Sequence, residues 1–116
     1  MATKQSSAEF IVEQIGGAGH VTARKIFGEY GLYCDGKLVG LVCDERLFVK
    51  PTAAGRAYLG SVTEAAPYPG AKPCFLIAGE AWDDADWLME LIKRTAAELP
   101  IPAAKKAGRR RVRALP

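Results

Sequence analysis

The sequence predicts a small α+β domain, in which an N-terminal and a C-terminal helix pack on an antiparallel sheet. Apolar residues at helical spacing occur near the two ends of the chain, whereas the middle carries short strand-like runs separated by turn signals. Consecutive strands with no helix between them favour a two-layer sandwich over a wound parallel sheet. The chain has 116 residues, 49% of them apolar, so one core can form without disulfides or metals.

The first helix is predicted close to the N-terminus. The segment Ser6–Glu9 fits a capping box, in which a serine hydroxyl and a glutamate carboxylate accept free amide hydrogens of the first turn. Phe10, Ile11 and Ile15 then recur at helical spacing. The pair Gly16–Gly17 should end the helix, because glycine readily adopts the positive φ of a C-cap.

Three strands are predicted in the central part of the chain. The runs Tyr30–Cys34, Lys37–Cys43 and Arg46–Lys50 are rich in aromatic, aliphatic and β-branched residues. Asp35-Gly36 separates the first two and predicts a tight type I′ hairpin turn. Asp44-Glu45 separates the second and third and lacks a glycine, so we expect a looser turn there. The pattern therefore predicts a three-stranded antiparallel meander.

One or two further strands are expected after the meander. Thr52 can cap a short helix that extends to Leu59. The segment Tyr68–Gly70 has the composition of a turn. Pro73–Ala78 is an apolar run with its proline at the start, where a strand tolerates it.

The last helix is predicted after two acidic residues, Asp83 and Asp84, whose charge suits a helix N-terminus. These carboxylates are interpreted as caps, because the segment lacks the glycine and the distal glutamate of an EF-hand loop. Glu90 and Arg94 form an i, i+4 pair on the exposed side. Pro100 then prevents the helix from continuing.

The charge of the chain is concentrated in its C-terminal segment. Sixteen Lys/Arg and thirteen Asp/Glu give a net charge of +3. Six of the basic residues, and no acidic one, lie within a short stretch, so the rest of the chain is mildly acidic. We therefore expect a folded domain over residues 1–102 and a flexible basic tail over 103–116. The candidate nucleic-acid contacts of this tail are Lys105, Lys106, Arg109, Arg110, Arg111 and Arg113. A solubilising role for the tail is the alternative.

The sequence predicts no catalytic, cofactor-binding or metal-binding residue. Cys34, Cys43 and Cys74 are widely spaced and form no CxxC pair, so buried reduced thiols are expected. His20 is the only histidine and has no nearby partner for a metal site or a catalytic pair. The N-terminus lacks the apolar region of a signal peptide, and no apolar run is long enough for a membrane span, which predicts a cytoplasmic protein.

The segment Val21–Pro51 reads VTARKIFGEYGLYCDGKLVGLVCDERLFVKP and resembles the N-terminal domain of the TfoX (Sxy) family of competence regulators. The likeness extends over residues 7–99, and includes a Tyr-Pro-Gly-Ala-Lys stretch and a final helix. The resemblance implies an α+β fold of the secretion-chaperone-like type. It also implies a role in the regulation of natural transformation competence, through transcriptional regulators and without catalysis.

The family motif supplies the candidate interaction residues. They are Arg24, Lys25, Phe27, Gly28, Tyr30, Gly31, Lys50 and Lys72. Arg24 and Lys25 could contact a phosphate or an acidic partner as a basic pair beside Tyr30, or they could be solvated charges that protect a strand edge. Gly28 and Gly31 do not form a phosphate loop, because no helix follows them, and a bulge or a sharp bend is the better interpretation.

The sequence as a whole favours a non-enzymatic regulatory module that acts by protein–protein contact. Its partner would be an unidentified protein or a second copy in a homodimer. The alternative is weak nucleic-acid binding through the basic tail. Neither a cofactor, nor a membrane, nor a small-molecule substrate is expected.

Overall fold

The computed structural model describes residues 4–26 and 28–100 of the chain. This part is an antiparallel sheet with α-helices at both ends of the sequence, so the predicted α+β fold is confirmed. The helices are α1 (Gln5–Ile15), α2 (Ala53–Leu59) and α3 (Ala85–Glu98). The strands are β1 (Val21–Ile26), β2 (Glu29–Cys34), β3 (Lys37–Cys43), β4 (Arg46–Val49), β5 (Glu64–Ala65) and β6 (Cys74–Ile77). None of the described helices is both long and apolar enough to span a bilayer.

The strand order in the sheet is β1-β2-β3-β4-β6-β5, and every neighbouring pair is antiparallel. The meander has one strand more than the three predicted, because Val21–Ile26 pairs along its whole length with β2. This additional strand forms one edge of the sheet. The two-residue strand β5 forms the other.

Both turns of the central meander are tight. Asp35 and Gly36 have φ values of 52° and 83°, as the type I′ prediction requires. Asp44 and Glu45 also have positive φ, 53° and 61°, and their flanking residues pair directly. The expectation of a looser turn there was wrong. Glu45 adopts a backbone conformation that glycine or asparagine would accept more readily.

Glu45 also explains how α1 begins. The helix starts at Gln5, and no side chain caps it from the preceding Lys4, so the predicted capping box was wrong. Instead the Glu45 carboxylate accepts hydrogen bonds from the Lys4 amide (2.6 Å) and the Ser7 hydroxyl (2.5 Å). These bonds hold the pKa of Glu45 below its usual value. The predicted glycine C-cap was also wrong, because Gly16 has a φ of −58° and opens a short 3₁₀ turn.

The other two helices begin as predicted. The Thr52 hydroxyl accepts the amide hydrogen of Gly55 at 2.9 Å, and the Asp84 carboxylate accepts that of Trp87 at 3.2 Å. Pro100 follows α3, and the residue before it, Leu99, is already extended. The predicted pair of Glu90 and Arg94 forms on this helix at 2.7 Å.

The three helices cover one face of the sheet and form the main core with it. Its fully buried side chains come from α1, α3 and the strands; the largest are Phe75, Ile11, Ile15, Leu32, Leu47, Leu88, Leu91, Ile92, Val39, Val42 and Val49. α2 packs closely on α3, where a Cβ at Gly55 would lie 3.5 Å from the Thr95 hydroxyl oxygen of α3. The helical layer leaves the opposite face of the sheet without a helix on it.

Candidate interaction surface

The face of the sheet opposite the helices, which we term the open face, carries a second and smaller apolar cluster. Leu41, Phe48 and Leu76 lie side by side across β3, β4 and β6. Phe48 is fully buried, and the Arg46 guanidinium lies 5.4 Å from the centre of its ring. The open face is therefore apolar along its middle, where long side chains and a loop cover it instead of a helix.

A groove of about 890 Å³ runs over this face along β3. Its floor contains Leu38, Leu41 and Cys43, which occupy the open side of that strand. The β1–β2 hairpin forms one wall and contributes Ile26, which is 39% exposed. The groove is predominantly apolar, as sites for apolar ligands and peptide side chains are.

The opposite wall of the groove is the loop between β5 and β6. Pro67 is buried against the sheet, and Ala71 is half-buried. A turn closed by a hydrogen bond from the Ala71 amide to the Tyr68 carbonyl (3.0 Å) shapes this loop, with Gly70 at a φ of 88°. The turn predicted from Tyr-Pro-Gly is thus confirmed. Tyr68 is 56% exposed at the mouth of the groove.

A β-bulge in β3 determines which side chains form the floor of the groove. Leu32 pairs with Gly40 and Tyr33 pairs with Leu38, so Val39 has no partner on β2. Because of this extra residue, Val39 turns into the main core, while Leu38 and Leu41, three residues apart, both face the groove. The bulge thus places both leucines on the open face, whereas simple alternation along the strand would place only one of them there.

Two lysines lie at the groove, Lys50 at its end and Lys72 on the loop wall. Within the described residues, neither ammonium forms an ion pair or a hydrogen bond with a side chain. By contrast, Arg56 and Arg94 pair with Glu64 and Glu90 elsewhere on the surface. The groove therefore combines an apolar floor with two cations that lack a carboxylate partner.

The thiols beside the groove are protonated at neutral pH. Burial, followed by the nearby Glu29 carboxylate, raises the pKa of Cys43 to about 11. Burial also raises the pKa of Cys74, although the Lys50 ammonium opposes this rise. Cys74 donates its thiol hydrogen to the Lys72 carbonyl at 3.8 Å, and all three cysteines are free and buried, as predicted. Thiols of this kind are poor nucleophiles.

A model of the TfoX N-terminal domain family matches residues 13–99, from the second half of α1 to the end of α3. The chain belongs to the TfoX N-terminal domain family. A relative from Spirochaeta aurantia, named as an uncharacterized 12.7 kDa protein in the trpE 5′ region, is 43% identical over 107 residues. The alignment covers 92% of this chain and 92% of the relative. The resemblance found in the sequence is thereby confirmed.

The structure brings three of the predicted residues of this TfoX N-terminal domain to the groove. Lys50 and Lys72 line it, and Tyr30 borders it, although Tyr30 belongs to the main core on the helix side. Gly31 lies beside them in β2, and a Cβ there would be 3.2 to 3.4 Å from side-chain atoms of Ile26, Tyr33 and Leu38. The bulge or sharp bend expected at Gly31 was wrong, because this residue pairs regularly with Arg24 and Leu41, and glycine is favoured here by close packing on the open face instead.

Arg24 and Lys25 do not form the basic pair that was considered beside Tyr30. Successive residues of a strand point to opposite faces, so Lys25 lies on the helix side with Tyr30, its partner across the strands. Arg24 lies on the open face, with its guanidinium 5.8 Å from the centre of the Tyr33 ring. Gly28 has a φ of 84° in the turn between β1 and β2, so the sharp bend expected there is present.

Several predicted site residues fall outside the described part of the chain. These are Phe27 of the family motif and the basic residues Lys105, Lys106, Arg109, Arg110, Arg111 and Arg113. Among the described residues, no three His, Cys, Asp or Glu side chains come close enough together to hold a metal ion. His20 precedes β1, and its amide donates to the Asp35 carboxylate at 2.9 Å.

The groove itself was not predicted from the sequence of this TfoX N-terminal domain. Its floor comes from β3 and its far wall from residues 67–74, which the sequence separates by at least two dozen positions. Two signals in the sequence could have indicated the groove. The segment Lys37–Cys43 contains more apolar residues than a strand with one buried face requires, and the Tyr-Pro-Gly-Ala-Lys loop follows later in the chain. Both belong to the family motif.

Proposed function

We propose that this protein is a non-catalytic, regulatory interaction domain that binds a segment of a partner protein in the groove on its open face. The segment would carry apolar side chains together with at least one carboxylate. The observation that carries this proposal is the coexistence, in one groove, of an apolar floor and two lysines without carboxylate partners. Membership of the TfoX N-terminal domain family supports a regulatory rather than a catalytic role.

The size of the groove suits a few side chains of a peptide. A volume of about 890 Å³ is within the range of sites that enclose a drug-sized ligand or a short segment. The floor offers Leu38, Leu41 and Cys43, and Ile26 and Tyr68 are exposed at the rim. Rigid aromatic and aliphatic groups at such positions commonly provide most of the binding free energy at an interface.

The charges at the groove select the chemistry of the partner. Lys50 and Lys72 would attract a carboxylate and repel a basic segment. Glu29 also lines the groove, but its carboxylate accepts a hydrogen bond from the Asp44 amide at 3.0 Å. An acidic, apolar segment therefore complements the groove better than a basic one.

The absence of a catalytic role is supported by the bonds that the reactive groups make. The thiol hydrogens of Cys34 and Cys74 go to main-chain carbonyl groups and not to a base. Burial raises the pKa of both thiols, which opposes formation of a nucleophilic thiolate. Among the described residues, these bonds and pKa shifts therefore support contact with a partner and not acyl or redox chemistry.

The experiment is a selection from a random peptide library displayed on phage, with the purified full-length protein as bait. We expect the enriched peptides to combine aliphatic or aromatic residues with Asp or Glu. Synthetic versions of these peptides are then titrated against Lys50→Glu/Lys72→Glu, which should weaken binding about tenfold, since each reversed charge removes one exposed ion pair. Leu41→Glu, which places a charge on the apolar floor, should abolish binding.

The matched control is Lys93→Glu, because Lys93 is an exposed lysine of α3 on the helical side of the domain. It should bind the peptides within about twofold of the wild type, because a distant exposed charge is screened. The proposal would be refuted by enriched peptides that lack acidic residues. It would also be refuted by peptides that bind the Lys50→Glu/Lys72→Glu variant as tightly as the wild type. A bait that enriches no peptide over several rounds would also count against it.

A second candidate, nucleic-acid binding through the basic tail, is supported by the six Lys/Arg between positions 105 and 113. Such a tail would give weak binding that falls steeply with salt. Gel-shift titrations of the full chain and of a form ending at Ala104, over a salt series, test it. Equal binding by both forms would exclude the tail as the contact.

A further inference from the structure

The strand β1 forms a six-residue edge of the sheet with free backbone groups. The Asp35 amide donates to the His20 carbonyl at 2.8 Å, so these two residues form a hydrogen-bonded pair. In an antiparallel ladder such pairs alternate, so Thr22, Arg24 and Ile26 also direct their backbone groups towards β2. The N–H and C=O groups of Val21, Ala23 and Lys25 therefore point outward. Within the described residues, none of these groups has a partner.

The side chains of β1 do not block this edge. Arg24 is the charge best placed to repel another strand, but its guanidinium lies over the ring of Tyr33 and is thus directed across the open face towards β2, away from the edge. Lys25 lies on the helix side. The opposite edge of the sheet is different, because β5 has only two residues and Pro67 follows it closely.

An acidic flank of α1 lies beside the same edge. A groove of about 770 Å³ between α1 and β1 is lined by Glu9, Val12 and Glu13 on one side and by Ala23 and Lys25 on the other. Among the described residues, neither Lys25 nor Glu13 forms an ion pair. Phe10 is 37% exposed on the same helix.

The connection between the two elements fixes their relative direction. Only residues 16–20 join α1 to β1, so the helix runs antiparallel to the strand. Glu13, near the end of α1, therefore lies towards the Val21 end of β1, whereas Lys25 lies towards the other end. The acid and the base are thus displaced from each other along the edge.

We infer that β1 pairs antiparallel with β1 of a second copy of this chain, about a two-fold axis at Ala23. This register uses all the outward groups, because Ala23 faces Ala23 of the other copy and Val21 faces Lys25. Arg24 then faces Thr22 and not another arginine. The result is a continuous twelve-stranded sheet, with the helices of both copies on one side.

The charges favour a second copy over a foreign strand. In this register Lys25 of each copy reaches the Val21 end of the other, where Glu13 lies without a partner. Two symmetric ion pairs form, and the apolar side chains of Val12, Val21 and Ala23 are covered on both sides of the axis. An isologous interface of this kind is the commonest route to a dimer.

The test measures the mass of the full-length protein by sedimentation velocity and by light scattering over a wide concentration range. A dimer is expected. Ala23→Pro should give a monomer with an unchanged circular dichroism spectrum, because proline removes an outward N–H and is tolerated where an edge amide faces solvent. Hydrogen exchange should show the amides of Val21, Ala23 and Lys25 slowing as the concentration rises.

A charge exchange tests the register independently of the proline variant. Lys25→Glu should weaken dimerisation about tenfold or more, and so should Glu13→Lys, since each places like charges together. The double variant should return to within about threefold of the wild type. A wild type that is monomeric at every concentration, a dimer that persists in Ala23→Pro, or a double variant no tighter than the singles would overturn the inference.

Discussion

Replacing Gly40 with alanine should destabilise the fold strongly, because there is no room for a side chain at the β-bulge. A Cβ at this position would lie 2.5 Å from the Phe48 carbonyl oxygen, whereas ordinary contacts of a Cβ begin at about 3.4 Å. The obstacle is backbone, so β3 and β4 must separate by roughly 0.9 Å to accommodate it. Gly40 pairs with Val49 and Leu41 pairs with Phe48, so at least one ladder hydrogen bond is lost.

The expected cost follows from these two effects. Overpacking in a buried region costs about 1–3 kcal/mol and a lost backbone hydrogen bond about 1 kcal/mol. The reduced freedom of the unfolded chain returns about 0.4–1 kcal/mol, which leaves a net loss of about 1–3.5 kcal/mol. For a domain of this size, the melting temperature should fall by about 5–25 °C.

Gly16→Ala is the matched control, because it makes the same chemical change at the start of the 3₁₀ turn. A Cβ at Gly16 meets no atom within 4 Å, and its φ of −58° suits any residue. This variant should be stabilised by about 0.4–1 kcal/mol. Both are compared with the wild type by urea and thermal denaturation. A Gly40→Ala variant as stable as the wild type would refute the packing argument.

Two further predictions concern titratable side chains. Glu45→Gln should lose about 0.5–1 kcal/mol at neutral pH, because it removes the charge that caps α1 in a solvent-exposed site. The Glu45 pKa is lowered in the folded state, so its stabilisation is fully present above the unfolded pKa and is lost as the pH falls through the lowered pKa of the folded state. Urea denaturation at neutral and acid pH should therefore show a smaller difference in stability between variant and wild type at acid pH, and a constant difference would contradict the prediction. For Cys43, whose pKa is about 11, about one thiol in a thousand is ionised at pH 8, so alkylation in the folded protein should be at least about 100-fold slower than in urea. Mass spectrometry of digested samples measures the alkylation rate. Equal rates in the folded protein and in urea would show that the fold does not keep the Cys43 thiol protonated.

The elements that the sequence predicted best are those whose signals are local. The hairpin turn at Asp35-Gly36 depends only on the ability of these two residues to adopt positive φ. The helix caps at Thr52 and Asp84 depend only on the backbone amides three residues further along the chain. The start of α1 was different. Its capping group, Glu45, lies 38 positions away from Ser7, and no pattern within the helix points to it.

The groove was beyond sequence reasoning for a related reason. Alternation in β3 predicts one buried and one exposed set of residues, but the bulge at Val39 shifts that alternation in the middle of the strand. Whether Leu38 and Leu41 share a face then depends on the register with β2, which is a tertiary property. The interpretation of Arg24 and Lys25 as one basic site failed because the two residues lie in a strand. Adjacent side chains of a strand point to opposite faces of the sheet.

The dimer inferred at β1 and the groove proposed for a partner lie on different parts of the domain, and the geometry of the sheet links them. A two-fold axis at Ala23 stands perpendicular to the sheet, so both open faces point to the same side. With strands about 4.8 Å apart, the two copies of β3 lie about 24 Å from each other. A partner that carries two acidic, apolar segments at this separation would bind both grooves at once, and its affinity would exceed that of one segment by about a hundredfold or more. Ala23→Pro, which leaves each groove intact, should remove this gain for a tethered pair of selected peptides while leaving the affinity for a single peptide unchanged.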